Sequence, residues 1–472
     1  MIMHKIYLTT FLLLGGALSF AQKALTLQDA INFAMQNNIG IRTSQVNIAD
    51  AEARIKENLA TGLPSIKATL DWQTFYLVPK VALPASFANG TSNAVFGILG
   101  SYGVKDKDGN PIPSTPPVDP NASTDPVKIA FQQRHSITPG ISASQLFFSG
   151  SYQVAKRAAR EYRDLVQKQL AAKQNEVRNQ VIDAYLPALL ITESVKTLDK
   201  NITNLEKLLL ETKAFNKEGF VENLDVDRLT LSLDNIKTQR ANVARSKDLV
   251  INALKFTIGA KHDEDITVSD NIESLLTELG ADDLEGAVNF NKRPEYGLIL
   301  QGEKMQALNL DLAKATALPT IAGFASYSYG IQGNSFTKGN YFWLPTGVVG
   351  ANVSVPIWNG GGLKYTKQRA QLAMEVTKNQ RLEFESAVNL QVQNARIAYK
   401  NAKLNLESQA KNTALAEKIY SISQKKFKEG VGSSVEVIQS ESTLYQNQQN
   451  VIQAKFDLLK AKMDLDKALG NR

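Results

Sequence analysis

The strongest constraint on this chain is that it repeats itself. Residues 60–66 read ATGLPSI and residues 315–321 read ATALPTI; residues 217–226 (KEGFVENLDV) return as residues 428–437 (KEGVGSSVEV). Self-similarity on this scale means two copies of one large structural unit and a pseudo-symmetric fold. The copies are expected at residues 22–258 and 282–472, joined by an equatorial linking segment at 259–281. Whatever the first copy builds, the second must build again.

Composition excludes several classes of function. The 472 residues carry 53 Lys+Arg against 46 Asp+Glu, a net charge of +7. That excess is spread out, with no dense basic run and no basic–aromatic interleaving of the kind that holds nucleic acid. Cysteine is absent, which removes disulfides, thiolate metal sites, a cysteine nucleophile and an acylated cysteine anchor. His4, His135 and His262 lie too far apart in sequence to suggest a metal cluster. No catalytic triad or nucleotide motif stands out, and Gly360-Gly361-Gly362 lacks the GK[ST] ending of a phosphate loop. Neither an enzyme nor a cofactor is expected.

The chain opens on a targeting segment. His4 and Lys5 precede an apolar run over residues 6–14, and Ser19 and Ala21 place small residues at both cleavage-determining positions. Residues 1–21 read as a signal peptide, with the mature chain starting at Gln22. No later stretch approaches the ~20 continuous apolar residues of a spanning helix.

Each copy then switches from helical periodicity to alternation, twice. Ile66, Ala68, Leu70 and Trp72 share one face; so do Ile137, Pro139, Ile141 and Ala143. In the second copy Ile321, Ala325, Tyr327, Tyr329 and Ile331 align, then Val349, Ala351, Val353, Val355 and Ile357. Segments of about ten residues, apolar on one face and small or polar on the other with aromatics towards the ends, mark outer-membrane strands. They form two hairpins, at 63–148 and 318–358. The first encloses residues 76–134, which hold eight of the 15 prolines and read as an outward-facing loop. Within it Asp106-Lys107-Asp108-Gly109-Asn110 resembles the start of a calcium loop, but Pro117 stands where the twelfth-position glutamate belongs, so a plain turn is expected.

Everything else reads as helix. Between residues 150 and 217, and again between 362 and 428, Pro187 is almost the only breaker. Each run would extend about 100 Å at 1.5 Å per residue. Val388, Val392, Ala395, Tyr399, Ala402 and Leu406 step by four and three, the seam of a coiled coil; Ile202, Leu205, Leu209 and Phe215 do so less regularly. Glycine-bearing turns follow, then return helices over 223–256 and 434–469. Single helices over 27–59 and 284–315 precede the hairpins.

Four strands cannot close a barrel, and an open edge in lipid strands a row of backbone groups at several kcal/mol each. Several chains must therefore share one barrel; two would give eight strands and three would give twelve, and sequence alone does not choose. The helices, leaving the strands opposite the loops, would continue that barrel as a hollow helical cylinder, a conduit.

These residues resemble the TolC-type outer-membrane efflux and secretion channels over essentially the whole mature length. The resemblance rests on LTLQDAINFAMQNN at 25–38, Arg293-Pro294-Glu295, the leucine–proline strand entries, Val355-Pro356-Ile357-Trp358-Asn359-Gly360-Gly361-Gly362 and the two KEG turns. It implies a mainly α chain with membrane β: a coiled-coil α-helical barrel in the periplasm, and four strands given to a twelve-stranded barrel shared by a homotrimer in the outer membrane. It also implies a passive exit duct that takes cargo from an inner-membrane pump through a periplasmic adaptor.

The resemblance further implies acidic residues just beyond the second turn, ringing the periplasmic mouth. The first such position is Glu436; the second is Gln439, so one carboxylate per protomer replaces two and cation preference should be weaker. Asp225 holds the equivalent place in the first copy. A simpler role for Glu436 is also open, because Ser433-x-x-Glu436 is a capping box, and Asp225 would suit the positive end of a helix dipole. An arginine and a tyrosine that brace the mouth in relatives fall on Ser433 and Phe427, which puts that latch in question. The turns Gly219-Phe220-Val221 and Gly430-Val431-Gly432 would form the adaptor-docking tip. The competing class, a surface adhesive stalk, predicts one continuous heptad array without duplicated hairpins.

Overall fold

The computed structural model of the protein describes residues 23–115, 125–278, 287–335 and 341–470. The expected signal peptide at 1–21, Pro117 and the end of the linking segment lie outside them. The described residues fall into two compact units, one mainly helical and one built around a sheet.

The sheet unit spans Lys56–Ala155 and Lys314–Leu363. Its main strands are β2 (Ser65–Thr74), β5 (His135–Ser149), β7 (Thr320–Gly333) and β8 (Tyr341–Ser354), antiparallel in the order β2-β5-β7-β8. The sheet is open, with β2 and β8 as its edges. Directly paired residues point to the same face, so register shows what each face carries. Trp72, Ile137, Ile331 and Trp343 form one row across all four strands; Ile66, Ala143, Ala325 and Val349 form another. The opposite face carries Thr69, Gly140, Ser328 and Thr346 in one row and Lys67, Ser142, Ser326 and Val348 in another, polar but for that valine. The alternation seen in sequence is thus a coherent apolar face. Ile66, Leu70, Trp72 and Val349 on it are all exposed.

Pro139 sits within β5 opposite Leu70, on the face expected, although the β5–β7 register skips Thr138 and Pro139 because a proline offers no N–H to a second neighbour. Two expectations for this unit need correction. The fourth strand ends at Ser354, short of Ile357, since Pro356 cannot extend the ladder and restricts Val355 before it. The proline-rich segment 76–134 is not simply a loop: β3 (Lys80–Leu83) pairs with β4 (Val127–Ala130), and α3 (Ala85–Ser101) lies between them in sequence. Within it, Asp106 Oδ1 accepts from the Asp108 and Asn110 N–H groups, both at 2.9 Å, which is the plain turn expected.

The helical unit contains α4 (Gly150–Lys217) and α8 (Gly362–Lys428) from residues 156 and 364 onward, with α5 (Asn223–Ile258) and α9 (Ser434–Leu469) entire. These bounds follow the glycine and turn signals closely, and α4 runs through Pro187 without ending. Val388, Val392 and Tyr399 of α8 are buried against Ala461, Leu465, Ala468 and Leu469 of α9, which realises the predicted seam. A larger core gathers Leu27, Ala30, Ala34 and Ile41 with Val177, Val181, Tyr185, Leu254, Ile258 and Leu459. Beside it, β1 (Lys23–Leu25) pairs in parallel with β6 (Ile266–Val268), and α6 (Ile272–Glu278) follows.

The single helix expected over 27–59 is two, α1 (Leu27–Asn37) and α2 (Ile39–Ala60). Asn38 breaks it: its backbone is extended, its Oδ1 accepts from Gly40 N–H at 2.9 Å, and its Nδ2 donates to the Thr257 carbonyl at 2.9 Å. An asparagine side chain that satisfies backbone groups competes with helix continuation. Likewise α7 starts at Pro294 and runs to Ala315, with a 3-10 turn at Phe290–Lys292 before it. Proline suits the first helical position because the N–H it lacks has no partner there. Among the described residues no helix is long and apolar enough to cross a membrane.

Candidate functional site at the helical turns

Two reversals define the site. Gly219 (φ 77°) and Gly430 (φ 73°) adopt the left-handed conformation that ends α4 and α8. Phe220 N–H then reaches back to the Phe215 carbonyl at 2.9 Å, and Val431 N–H to that of Lys426 at 3.0 Å, the six-residue closure of a Schellman motif. Asn216 Nδ2 fastens the first turn by donating to the Val221 carbonyl at 2.9 Å. Gly432 is needed for closeness: a Cβ there would stand 3.0 Å from the Phe427 backbone nitrogen. Of the six residues expected at the docking tip, Phe220 and Val431 are the apolar side chains in solvent, 78% and 76% exposed. Val221 instead packs against a core of Leu205, Leu208, Leu209, Val226, Leu229, Leu233, Phe427 and Val437.

That core joins both copies, so the two turns are neighbours. The Ser434 hydroxyl donates to the Asp225 carboxylate, and Lys428 Nζ meets Glu211 Oε2 at 2.6 Å. Asp225 is therefore held by α9, with Arg228 also 3.7 Å away. Phe427, the position of the bracing tyrosine in relatives, is buried; Ser433, the position of the arginine, is an N-cap.

Glu436 corrects a sequence expectation. The Ser433 hydroxyl accepts from Val435 and Glu436 N–H groups, but only this forward half of the capping box forms. The Glu436 carboxylate turns to α8, where Ser423 Oγ donates at 3.4 Å and Lys426 Nζ lies 3.7 Å away. Both charges are about half exposed, so the pair contributes little to stability. Gln439 lines two shallow clefts. One, about 590 Å³, also holds Arg228, Asn235 and Gln446; the other holds Glu436, Ile419 and Ser440. The structure thus gathers Asp225, Glu436 and Gln439 beside the two turns.

Sequence reasoning missed Glu441. It is 1% exposed on α9, and its Oε1 accepts from Tyr445 Oη at 2.5 Å. Burial pushes its carboxyl up to about 7, against the opposing effect of the Tyr445 and Tyr420 hydroxyls. The signal was present: Val437 and Leu444 mark the buried face of α9, and Glu441 falls in that face with a tyrosine four residues on. The Ser434–Asp225 contact had no such signal, since 209 residues separate its partners. Among the described residues no group of His, Cys, Asp and Glu could hold a metal ion.

This fold, an open amphipathic sheet and paired long helices drawn from two halves of one chain, is similar to that of solved outer-membrane channels. VceC of Vibrio cholerae matches with a TM-score of 0.63 at 14% identity, over 94% of this chain and 96% of that one. CmeC of Campylobacter jejuni gives 0.64 at 13% identity, over 94% and 85%, and MtrE of Neisseria gonorrhoeae, in its open state, 0.64 at 16%, over 94% and 88%. In particular, residues 305–471 match the family model described as outer membrane efflux protein. No curated protein matches the sequence.

Proposed function

We propose that this protein is the outer-membrane exit duct of a tripartite efflux pump or type I secretion system, passively conducting small molecules or polypeptides. The observation that supports this reading is the unfinished sheet: four strands, an exposed apolar face, and two edges that pair with no other strand among the described residues. In lipid those edges must be paired, and further copies of the chain would supply matching strands. Three copies would give twelve strands. The division into repeats at 22–258 and 282–472 belongs to the same reading.

A second apolar stripe supports assembly. Leu390, Ile397 and Leu404 recur every seven residues along α8 and are all exposed. Leu390 follows Val388 by two residues, about 200° round the helix, so the stripe lies opposite the face buried on α9. A helix with two apolar seams requires a second neighbour. In this reading Glu436, with Gln439 and Asp225, borders the periplasmic aperture, while Gly219–Val221 and Gly430–Gly432 form the tip that an adaptor linked to an inner-membrane pump would cover.

Conductance of the purified protein in planar bilayers tests the proposal. Discrete ion-conducting steps are expected, and Glu436→Ala should lower the cation-over-anion permeability ratio roughly twofold by removing a fixed charge from a narrow aqueous path. An electrically silent protein would instead favour a stalk, although duplicated hairpins do not suit one.

A further inference from the structure

We propose that Glu441, with Tyr420 and Tyr445, is a protonation-controlled latch that holds the turn-proximal ends of α4, α8 and α9 together when its carboxyl is neutral and loosens them when it ionises. The cluster's geometry is incomplete in an informative way. Glu441 Oε1 is bonded to Tyr445 Oη, which also approaches the Asn201 carbonyl of α4 at 3.4 Å. Glu441 Oε2 is buried and has no hydrogen-bond partner, and neither has the buried Tyr420 Oη of α8 beside it. A carboxylate can only accept, whereas a protonated carboxyl gains one O–H donor. The Tyr420 hydroxyl could equally donate to an ionised Oε2, so the unmade bond does not by itself choose a protonation state. What disfavours ionisation is burial with no cation at hand, and a proton on Oε2 removes the charge while leaving a donor for the Tyr420 oxygen.

The charged surroundings do not favour the ionised form. From α4, Glu211 acts on Tyr420 and is itself paired with Lys428 of α8. On α9, Glu436 is occupied by Ser423 and Lys426 of α8. From α5, Arg228 lines the same cleft as Tyr445 but lies 3.7 Å from Asp225, which also accepts from Ser434, while Val226, Leu229 and Leu233 of that helix belong to the apolar core. Apart from burial, the groups acting on the Glu441 carboxyl are the two phenols, and no lysine or arginine is among them. An ionised Glu441 is thus a buried charge without a counter-ion, a costly arrangement.

The direction with pH follows. The packed carboxyl titrates near 7, above the ordinary 4.5, so the packed state holds its proton more tightly than an opened one. Packing strength is full below about 4.5 and is lost as pH rises towards 7. The latch is a property of the helical unit; only its effect on conduction rests on the channel reading.

Hydrogen exchange on the full-length protein in detergent tests it, with amide protection of residues 409–428 and 434–445 compared at pH 5.5 and 8 after correction for intrinsic rates. Local opening of the wild type should increase roughly tenfold or more over that interval. Glu441→Gln should flatten the response, and Tyr445→Phe, which removes a bond favouring the ionised form, should move the midpoint upward. Equal pH responses in wild type and Glu441→Gln, or an unmoved midpoint in Tyr445→Phe should the glutamine variant not fold, would overturn the latch. A bilayer-silent protein that keeps the exchange response would sink the channel reading and leave the latch standing.

Discussion

Replacing Leu390, Ile397 and Leu404 together by aspartate is expected to turn the proposed assembly into single chains that keep their helical content. The three side chains are 58%, 60% and 56% exposed, although each is a large aliphatic group at a repeating position on one helix. Covering such a group is worth about 1.5–3 kcal/mol, so three on each subunit give an assembly several kcal/mol at every junction. Aspartate removes that gain and adds charges that would have to be buried. The mutated face is away from Val388, Val392 and Tyr399, so folding within the chain should survive. Light scattering coupled to gel filtration measures mass, and circular dichroism measures helix. A triple variant with the wild-type mass would remove the case for assembly through α8.

The second large effect concerns the junction where β1 meets β6. Asp270 Oδ2 accepts from the Leu27 N–H at 2.7 Å and from Tyr185 Oη at 2.9 Å, while Tyr185 itself is fully buried. Leu27 is the first residue of α1, so the carboxylate satisfies a helix-terminal N–H that has no partner within the helix. Burial beside that carboxylate also pushes the Tyr185 hydroxyl well above its ordinary pKa, so it stays a neutral donor. Asp270→Ala leaves the N–H buried and unpaired and should cost about 2–4 kcal/mol. The helical melting transition should drop clearly for alanine and less for Asp270→Asn, which keeps an acceptor. Equal melting of both variants and wild type would show that this contact does not hold the junction.

How much of this was legible beforehand depended on whether a feature is local or distant in the chain. The long helices were readable to within a residue because glycine turns and an unbroken 3.6-residue rhythm are local properties. The strands were readable because alternation over ten residues is local too. Asn38 was missed, since its power to break a helix depends on Thr257, far along the chain. The elements inside 76–134 were hidden by proline and glycine density. Glu436 was named from the family resemblance and Asp225 from its equivalent place in the first copy, but their bonding partners, Lys426 and Ser434, belong to other helices and left no trace in spacing. Glu441 shows the opposite failure: its misfit on an apolar stripe was visible and was passed over as ordinary helix polarity.

The open sheet has a genetic corollary. In the proposed assembly a wall built from several chains is only as sound as its worst contributor, so a subunit that assembles but carries a broken strand should spoil each ring it enters. For a ring of three made from equal amounts of sound and damaged chains, roughly one in eight would escape, and such alleles should behave as dominant rather than recessive.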